Sequence, residues 1–380
     1  MTKGGDFKVA FVAGTLATGG AERQLVAMCR ALTAAGVRTA VFSLTKGERY
    51  ETVLGEAGTS VIWVGSSRIR LARIAAVASA VREFRPNIVQ SVHGYTNVYA
   101  AAAARYCGVP SAGALRGSLG TFRKSHSLLA GALLRMPSAV ITNSRSAWQD
   151  VVESKLLPPG RIFLVHNSLD VQPYRIATQA ADRRGVRCIV VGRLTESKRV
   201  DRFLKALALA RAKAPALTGM IVGDGPARAS LERVSSSLGL KPYVTFTGLS
   251  HRVHDLLADA HMLVSCSEDE GMPNVILEAM AAGLPVVTTP AGDSRFLVED
   301  GLSGHVVPFG DLLAMATRMV RLAHSCSLRI EMGARGRRVV ERLFTIERLG
   351  ADLLDVYRRL GAPGVPRYEA TDAVRSVCLR

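Results

Sequence analysis

Residues 268–292 read EDEGMPNVILEAMAAGLPVVTTPAG, and the fold turns on how this stretch is parsed. Glu270 stands in a polar loop. Pro273 and Asn274 suit the start of a helix, where proline has no needed amide proton to lose. Glu278 then falls on that helix, Gly283 takes the place of a C-terminal cap, and PVVTT reads as a buried strand. The two carboxylates, Glu270 and Glu278, and a row of backbone N–H groups thus meet at one helix N-terminus. The N–H groups and the positive helix end favour phosphate. Carboxylates accept hydrogen bonds from sugar hydroxyls. A ligand with both phosphate and sugar fits this place. Gly271 lets the backbone come close to it, and Pro273 fixes the direction just after.

Outward from this unit the chain alternates strands and helices. Strands are expected near 8–13, 38–44, 60–64, 88–92, 112–115, 139–142 and 162–165. A polar stretch at 180–185, AADRRG, is read as a linker, and a second series follows with strands near 187–191, 220–222, 244–247 and 262–265. Each half opens as strand, Gly-containing loop, helix. The repeated βα order predicts two Rossmann-like, doubly wound parallel-sheet domains. The expected domains are 1–182 and 183–344, with a C-terminal helix over 345–360 returning to the first and a loose tail over 361–380. Ligands of such sheets lie at the carboxyl ends of the strands, so the cleft between two facing domains is the expected site.

At 380 residues, 48% of them hydrophobic, the chain can build large cores and is not a disordered one. No apolar run reaches the length of a membrane span, and the first residues lack the h-region of a signal peptide. The six cysteines are scattered without a CxxC pair, which points to buried thiols in a reducing cytosol. The net charge of +18 is uneven: residues 1–184 hold 23 Lys and Arg against 10 Asp and Glu. Between Phe84 and Gln149 there is no acidic residue, yet Arg85, Arg105, Arg116, Arg123, Lys124, Arg135 and Arg145 lie there. Such a one-sided surface points to an anionic partner.

Three further motifs end predicted strands. In AGTLATGGAE (13–22), Gly19 and Gly20 precede a helix and would admit a phosphate. The pattern is neither GxGxxG nor a P-loop. In VGRLTESK (191–198), Arg193 and Lys198 follow Gly192; two cations there can clamp a diphosphate without metal. VGDGP (222–226) places Gly223 in a turn that would border a nucleotide base. His93 follows a strand and is an acceptor-side candidate. No His, Cys or Asp spacing suggests a metal site, and no Asp-x-Asp pair suggests a Mg²⁺ platform.

Taken together, GGAE (19–22), HNSLD (166–170), VGRLTESK, VGDGP, VTFTG (244–248) and EGMPNVILEAMAAGLPVV (270–287) resemble the retaining glycosyltransferases of family 4, glycosyl transferases group 1, with the GT-B fold. The resemblance spans most of the chain. It implies a hexosyltransferase whose nucleotide-sugar donor is held mainly by the C-terminal domain. Arg193 and Lys198 would neutralise the diphosphate; Glu270 with Gly271, Met272, Pro273, Asn274 and Val275 would hold the hexose. Glu278 would bind the ribose, and Gly20 would touch the diphosphate from the N-terminal side. No cofactor or metal is expected beyond the co-substrate. Where some relatives carry a His after the strand at 112–115, this chain has Arg116, which cannot act as a base; it binds either an anionic acceptor or the donor phosphate.

The acceptor is expected to be a lipid-linked sugar or other glycan in bacterial polysaccharide assembly. Residues 115–135 mix cations with apolar side chains, which predicts a peripheral enzyme on the cytoplasmic, anionic face of the cell membrane. Competing readings are a nucleotide-sugar epimerase or hydrolase on the same fold and a basic nucleic-acid-binding module. The second lacks the aromatic-lined motifs of the usual readers, so no nucleic-acid partner is expected.

Overall fold

A computed structural model describes residues 7–67, 69–177 and 185–366 of the chain. The chain forms two compact units, one running to Leu169 and resuming at Phe344, the other covering Asp170–Leu343. The expected 182/183 boundary, all of the expected 180–185 linker but Gly185, and the expected 361–380 tail from 367 on lie outside the described residues.

The first unit holds strands β1 (Lys8–Ala13), β2 (Arg38–Ser43), β3 (Ser60–Trp63), β4 (Ile88–Ser91), β5 (Ser111–Leu115), β6 (Ala139–Thr142) and β7 (Ile162–Leu164), in the spatial order β3-β2-β1-β4-β5-β6-β7. Every pairing is parallel, as in Val9↔Ile88 and Leu115↔Thr142. Strands such as KVAFVA are apolar on both faces because helices cover both sides of the sheet. One face is covered by helices Gly20–Ala34 and Ile346–Arg359, the other by Arg70–Phe84 and Asn97–Cys107.

The helix Ile346–Arg359 belongs to the first unit for a packing reason. Leu349, Leu353, Leu354, Val356 and Tyr357 form one buried stripe on Leu25, Met28 and Leu32, each fully buried aliphatic side chain contributing about 1.5–3 kcal/mol. The Tyr357 hydroxyl donates to Gln90 Oε1 at 2.6 Å, so the stripe is tied to the middle of β4.

The second unit holds β8 (Val186–Val191), β9 (Leu217–Val222), β10 (Val244–Gly248), β11 (Met262–Ser265), β12 (Val286–Thr288) and β13 (Gly304–Val306), ordered β10-β9-β8-β11-β12-β13 and again parallel. The stretch 268–292 folds as parsed: the helix is Asn274–Ala281 with Pro273 at its N-cap, and β12 follows. Gly283 and Leu284 donate to Met280 and Ala279 carbonyls, closing the helix end.

Several elements have no clear sequence signal: the helices Arg49–Glu56, Leu119–His126, Ala130–Arg135, Arg145–Glu153, Leu312–His324 and Cys326–Leu343, and the strand β13. The helix Cys326–Leu343 carries two interior glycines, which ordinarily argue against a helix. Here Gly333 lies against the Gly283 backbone, where a Cβ would stand 1.8 Å from the Gly283 carbonyl oxygen. Close helix packing requires it. No helix among the described residues is long and apolar enough to cross a membrane.

Candidate active site

In both sheets the strand order reverses beside the first strand of the series: β1 lies between β2 and β4, and β8 between β9 and β11. The segments leaving those carboxyl ends diverge, and a crevice opens at each point.

In the second unit the crevice lies between the loops after β8 and β11. It is lined by Gly192, Arg193, Lys198, Glu270 and Val275 over a floor that includes Val190 and Val264. Lys198 Nζ donates to Glu270 Oε1 at 2.5 Å, with 30% of the lysine and 14% of the glutamate side chain exposed. Arg193 is exposed and makes no ion pair with a described residue. The turn that presents Lys198 is strained: Arg199, next to it, has φ 48 in the left-handed region, which costs about 1–3 kcal/mol. Ion pairs hold it. Arg199 binds Asp201 at 3.0 Å and Glu268 at 2.9 Å, Arg202 binds the same Glu268 oxygen, and the Glu268 amide donates to the Ser197 carbonyl. The two loops are stitched together one step beyond Lys198 and two before Glu270.

Two glycines set this geometry. At Gly223, with φ 136, a Cβ would stand 1.9 Å from the Gly192 carbonyl oxygen, so the turn after β9 rests directly on the loop of Arg193. At Gly292, with φ 52, a Cβ would stand 2.2 Å from the Gly271 and 2.4 Å from the Glu270 carbonyl oxygens. Asp293 completes that brace: its amide donates to the Gly271 carbonyl at 2.9 Å. Thus Gly271, Met272, Pro273 and Asn274 leave Glu270 on a fixed path into the helix. Glu278, one turn along, is only 4% exposed and lies outside the lining of the recess. Sequence reasoning missed Gly292, Glu268 and Arg199, whose effect comes only through contacts with distant residues.

The first unit places Gly19, Gly20, His93 and Arg116 at the ends of β1, β4 and β5. Gly19 is the N-cap of its helix, but a carboxylate already lies over it: a Cβ there would stand 2.3 Å from Glu22 Oε2. That oxygen pair also engages His93, whose Nε2 lies 3.1 Å from Glu22 Oε1. The Gly14 amide donates to His93 Nδ1 at 3.2 Å, so Nδ1 is the acceptor and Nε2 carries the proton toward Glu22. The ring stacks on Tyr95 with centroids 5.3 Å apart. Both nitrogens of His93 therefore brace the loop after β1. The same loop is held by Glu48, which accepts from Thr15 at 3.0 Å and from the Leu16 amide and the Thr45 hydroxyl. Burial pushes the Glu48 carboxyl up, but these hydrogen bonds outweigh it and leave the pKa below the usual carboxylate value. Glu22 closes the GGAE motif without a role expected of it, and Glu48 did not stand out in the sequence.

The segment 115–135 turns most of its apolar side chains inward. Leu119, Phe122, Ala130 and Leu134 join a core cluster, while Arg123, Lys124, Leu129, Arg135 and Met136 are exposed. Among the described residues no group of three His, Cys, Asp or Glu could hold a metal ion.

Comparison with known proteins matches both units. Residues 18–173 match the family model described as Glycosyltransferase Family 4, and residues 185–325 that described as Glycosyl transferases group 1. The chain is 31% identical over 175 residues to the alpha-D-kanosaminyltransferase of Streptomyces kanamyceticus, taking in 46% of this chain and 45% of that one. It is 30% identical over 157 residues to the lipopolysaccharide core biosynthesis glycosyltransferase LpsE of Rhizobium meliloti (strain 1021), over 41% and 45% of the two chains. The chain spans less than half the length of these curated relatives. The crystal structure of Anabaena HepE in complex with UDP and glucose superposes with a TM-score of 0.80 at 20% identity, over 93% of this chain and 99% of that one. That likeness concerns the fold.

Proposed function

Since the chain belongs to the glycosyltransferases of family 4, group 1, and has their GT-B fold, we propose that it moves a hexose from a nucleotide-diphosphate sugar to an acceptor in polysaccharide or glycolipid assembly. The observation that carries the reading is the Lys198–Glu270 pair beside Gly192 and Arg193 at the β8/β11 crevice. A diphosphate brings two or more negative charges, and Arg193 and Lys198 supply two cations at one strand end. As the bond from the anomeric carbon to the diphosphate oxygen breaks, the charge on the leaving group grows, and fixed donors stabilise it by about 3–4 kcal/mol each. Lys198 occupies only part of the Glu270 carboxylate, whose remaining lone pairs accept from hexose hydroxyls. The Gly271–Asn274 turn holds the sugar by its backbone, and Glu278 takes the ribose.

In this reading the acceptor hydroxyl attacks the anomeric carbon from the face the diphosphate leaves. Its proton passes to the departing diphosphate oxygen, so the anomeric configuration is retained without a protein nucleophile. Neither glutamate acts as acid or base, and the cations act without a metal. A donor of the nucleotide-sugar class is supported by the ligands of HepE, and a place in glycolipid assembly by the name of LpsE, a lipopolysaccharide core biosynthesis glycosyltransferase. The exposed Arg123, Lys124 and Arg135 beside Leu129 and Met136 favour a peripheral place on an anionic membrane face.

Melting the protein with a panel of nucleotide sugars tests the reading. A donor at about 100 times its dissociation constant adds roughly 2.7 kcal/mol of stability. Glu270→Gln is expected to keep the response to the bare nucleoside diphosphate and to lose the extra response to the attached sugar. Silence toward every nucleotide sugar sinks the proposal. Co-sedimentation with anionic liposomes at low salt tests the membrane part by itself.

A further inference from the structure

Among the described residues, Arg116 is a cation without a counter-ion. It leaves β5 at the carboxyl end, and its side chain turns under the helix Gly20–Ala34, where Nη2 lies 3.9 Å from the sulfur of Met28. Its Nε is shielded from solvent and has no hydrogen-bond partner. A thioether is a weak, neutral acceptor and leaves the charge uncompensated. No carboxylate counters burial, which alone lowers the pKa to about 10, so the group stays charged at neutral pH.

A second orphan stands beside it. The β5–β6 ladder ends at the pair Leu115↔Thr142, so the next residues, Arg116 and Asn143, leave adjacent strands side by side. Side chains alternate along a strand, and Ala112 and Ile141 lie in the core beneath the helix Gly20–Ala34; Arg116 and Asn143 follow on the same face. Asn143 is 6% exposed, its Nδ2 donates to Asn167 Oδ1 at 3.3 Å, and its Oδ1 has no partner. Among the described residues, a shielded donor lacking an acceptor and a buried acceptor lacking a donor thus leave neighbouring strand ends on the same face. A shielded polar group left unmet is costly, so the arrangement is unfavourable unless a ligand satisfies it.

We propose that Arg116 and Asn143 form a receptor for an oxyanion with a neighbouring hydroxyl, and that this group belongs to the acceptor. The guanidinium receives the oxyanion and Asn143 Oδ1 accepts from the hydroxyl. The absence of acidic residues from Phe84 to Gln149 fits a site whose negative charge arrives with the ligand. The word acceptor rests on the transferase reading; the receptor itself does not.

The test uses the whole chain, with inorganic phosphate and glycolate as probes against chloride at matched ionic strength. Wild type, Arg116→Met and Arg116→Lys are compared by thermal melting and by titration calorimetry, each also with a nucleoside diphosphate. At least one probe is expected to stabilise the wild type, and which one does so separates a phosphate from a carboxylate ligand. Arg116→Met is expected to weaken that binding at least tenfold, the loss of one charge-assisted hydrogen bond. Arg116→Lys should fall between. In chloride alone Arg116→Met should melt no lower than wild type, because it removes an uncompensated, partly buried charge. Indifference of the wild type to both probes, equal binding by Arg116→Met, or a lower melting temperature of that variant in chloride overturns the receptor. Loss of the nucleotide response in Arg116→Met overturns its assignment to the acceptor. If no nucleotide stabilises even the wild type, the transferase reading fails while the phosphate and glycolate arms still decide the receptor.

Discussion

Gly292→Ala is the sharpest perturbation of the proposed donor site, because it adds one carbon atom whose three nearest neighbours are all backbone atoms of Glu270 and Gly271. The new Cβ would lie 2.2 Å from the Gly271 oxygen and 2.4 Å from the Glu270 oxygen. Carbon–oxygen contacts settle at about 3.3 Å or more, so the turn must yield by roughly 1 Å. The left-handed backbone, φ 52, adds about 1–2 kcal/mol for a residue with a Cβ. Losing the Asp293–Gly271 hydrogen bond adds about 0.5–1.5 kcal/mol. The expected destabilisation of the second unit is therefore ~2–3 kcal/mol. If Glu270 positions the sugar as proposed, a displacement near 1 Å there is expected to lower transfer about 100-fold. Gly310→Ala is the control: φ is 76, but nothing lies within 4 Å of its Cβ, so it has the backbone cost without the clash. Urea denaturation and calorimetric titration of a nucleotide sugar that stabilises the wild type measure both variants. If Gly292→Ala binds that ligand like wild type, or Gly310→Ala loses as much, the argument that Gly292 props the Glu270 turn is wrong.

Other consequences follow from single contacts. Lys198→Met and Glu270→Gln should each weaken nucleotide-sugar binding, and their double-mutant cycle should show a coupling of about 0.5–3 kcal/mol, since the two side chains are bonded. A coupling near zero would mean that the pair is incidental. Burial raises the Asp352 pKa to about 6, against the pull of Arg348 at 3.8 Å. An acid whose folded pKa is raised contributes stability below its unfolded value of 3.8 and loses it as pH climbs through about 6. Asp352→Asn should therefore stabilise the protein at pH 7.5 by about 1–2 kcal/mol, discounted because 31% of the side chain is exposed, and do nothing at pH 3.5. Tyr357→Phe leaves buried Gln90 Oε1 without its donor and should cost about 1–3 kcal/mol in chemical denaturation. An unchanged midpoint would show that the hydroxyl does not tie the last helix to β4.

The legible parts of the chain are those governed by neighbours in sequence. KVAFVA, CIVV and MLVS announce strands because a parallel sheet buried on both faces needs continuous apolar runs. EGMPNVILEAMAAGLPVV announces its loop, helix and strand because caps and breakers act within a turn or two. Arg193, Lys198 and Glu270 could be singled out because strand ends carry the ligands of such sheets. The helices Leu119–His126 and Ala130–Arg135 could not be read: their apolar residues suggested a surface stretch until Phe122 and Leu134 proved to be core.

The alternation, the two sheets and the residue types at their strand ends follow from the order of residues alone, because backbone preference and hydrophobic period are local properties. The tertiary structure alone decided which of those residues meet. It joined Lys198 to Glu270 across 72 positions and His93 to Glu22 across 71. It put the Glu22 carboxylate over Gly19, where a phosphate was expected, and brought Arg116 and Asn143 to neighbouring strand ends with no acid among the described residues to answer the charge. Distance through space is fixed by strand order and register, and no spacing along the chain encodes those before the sheet is assembled.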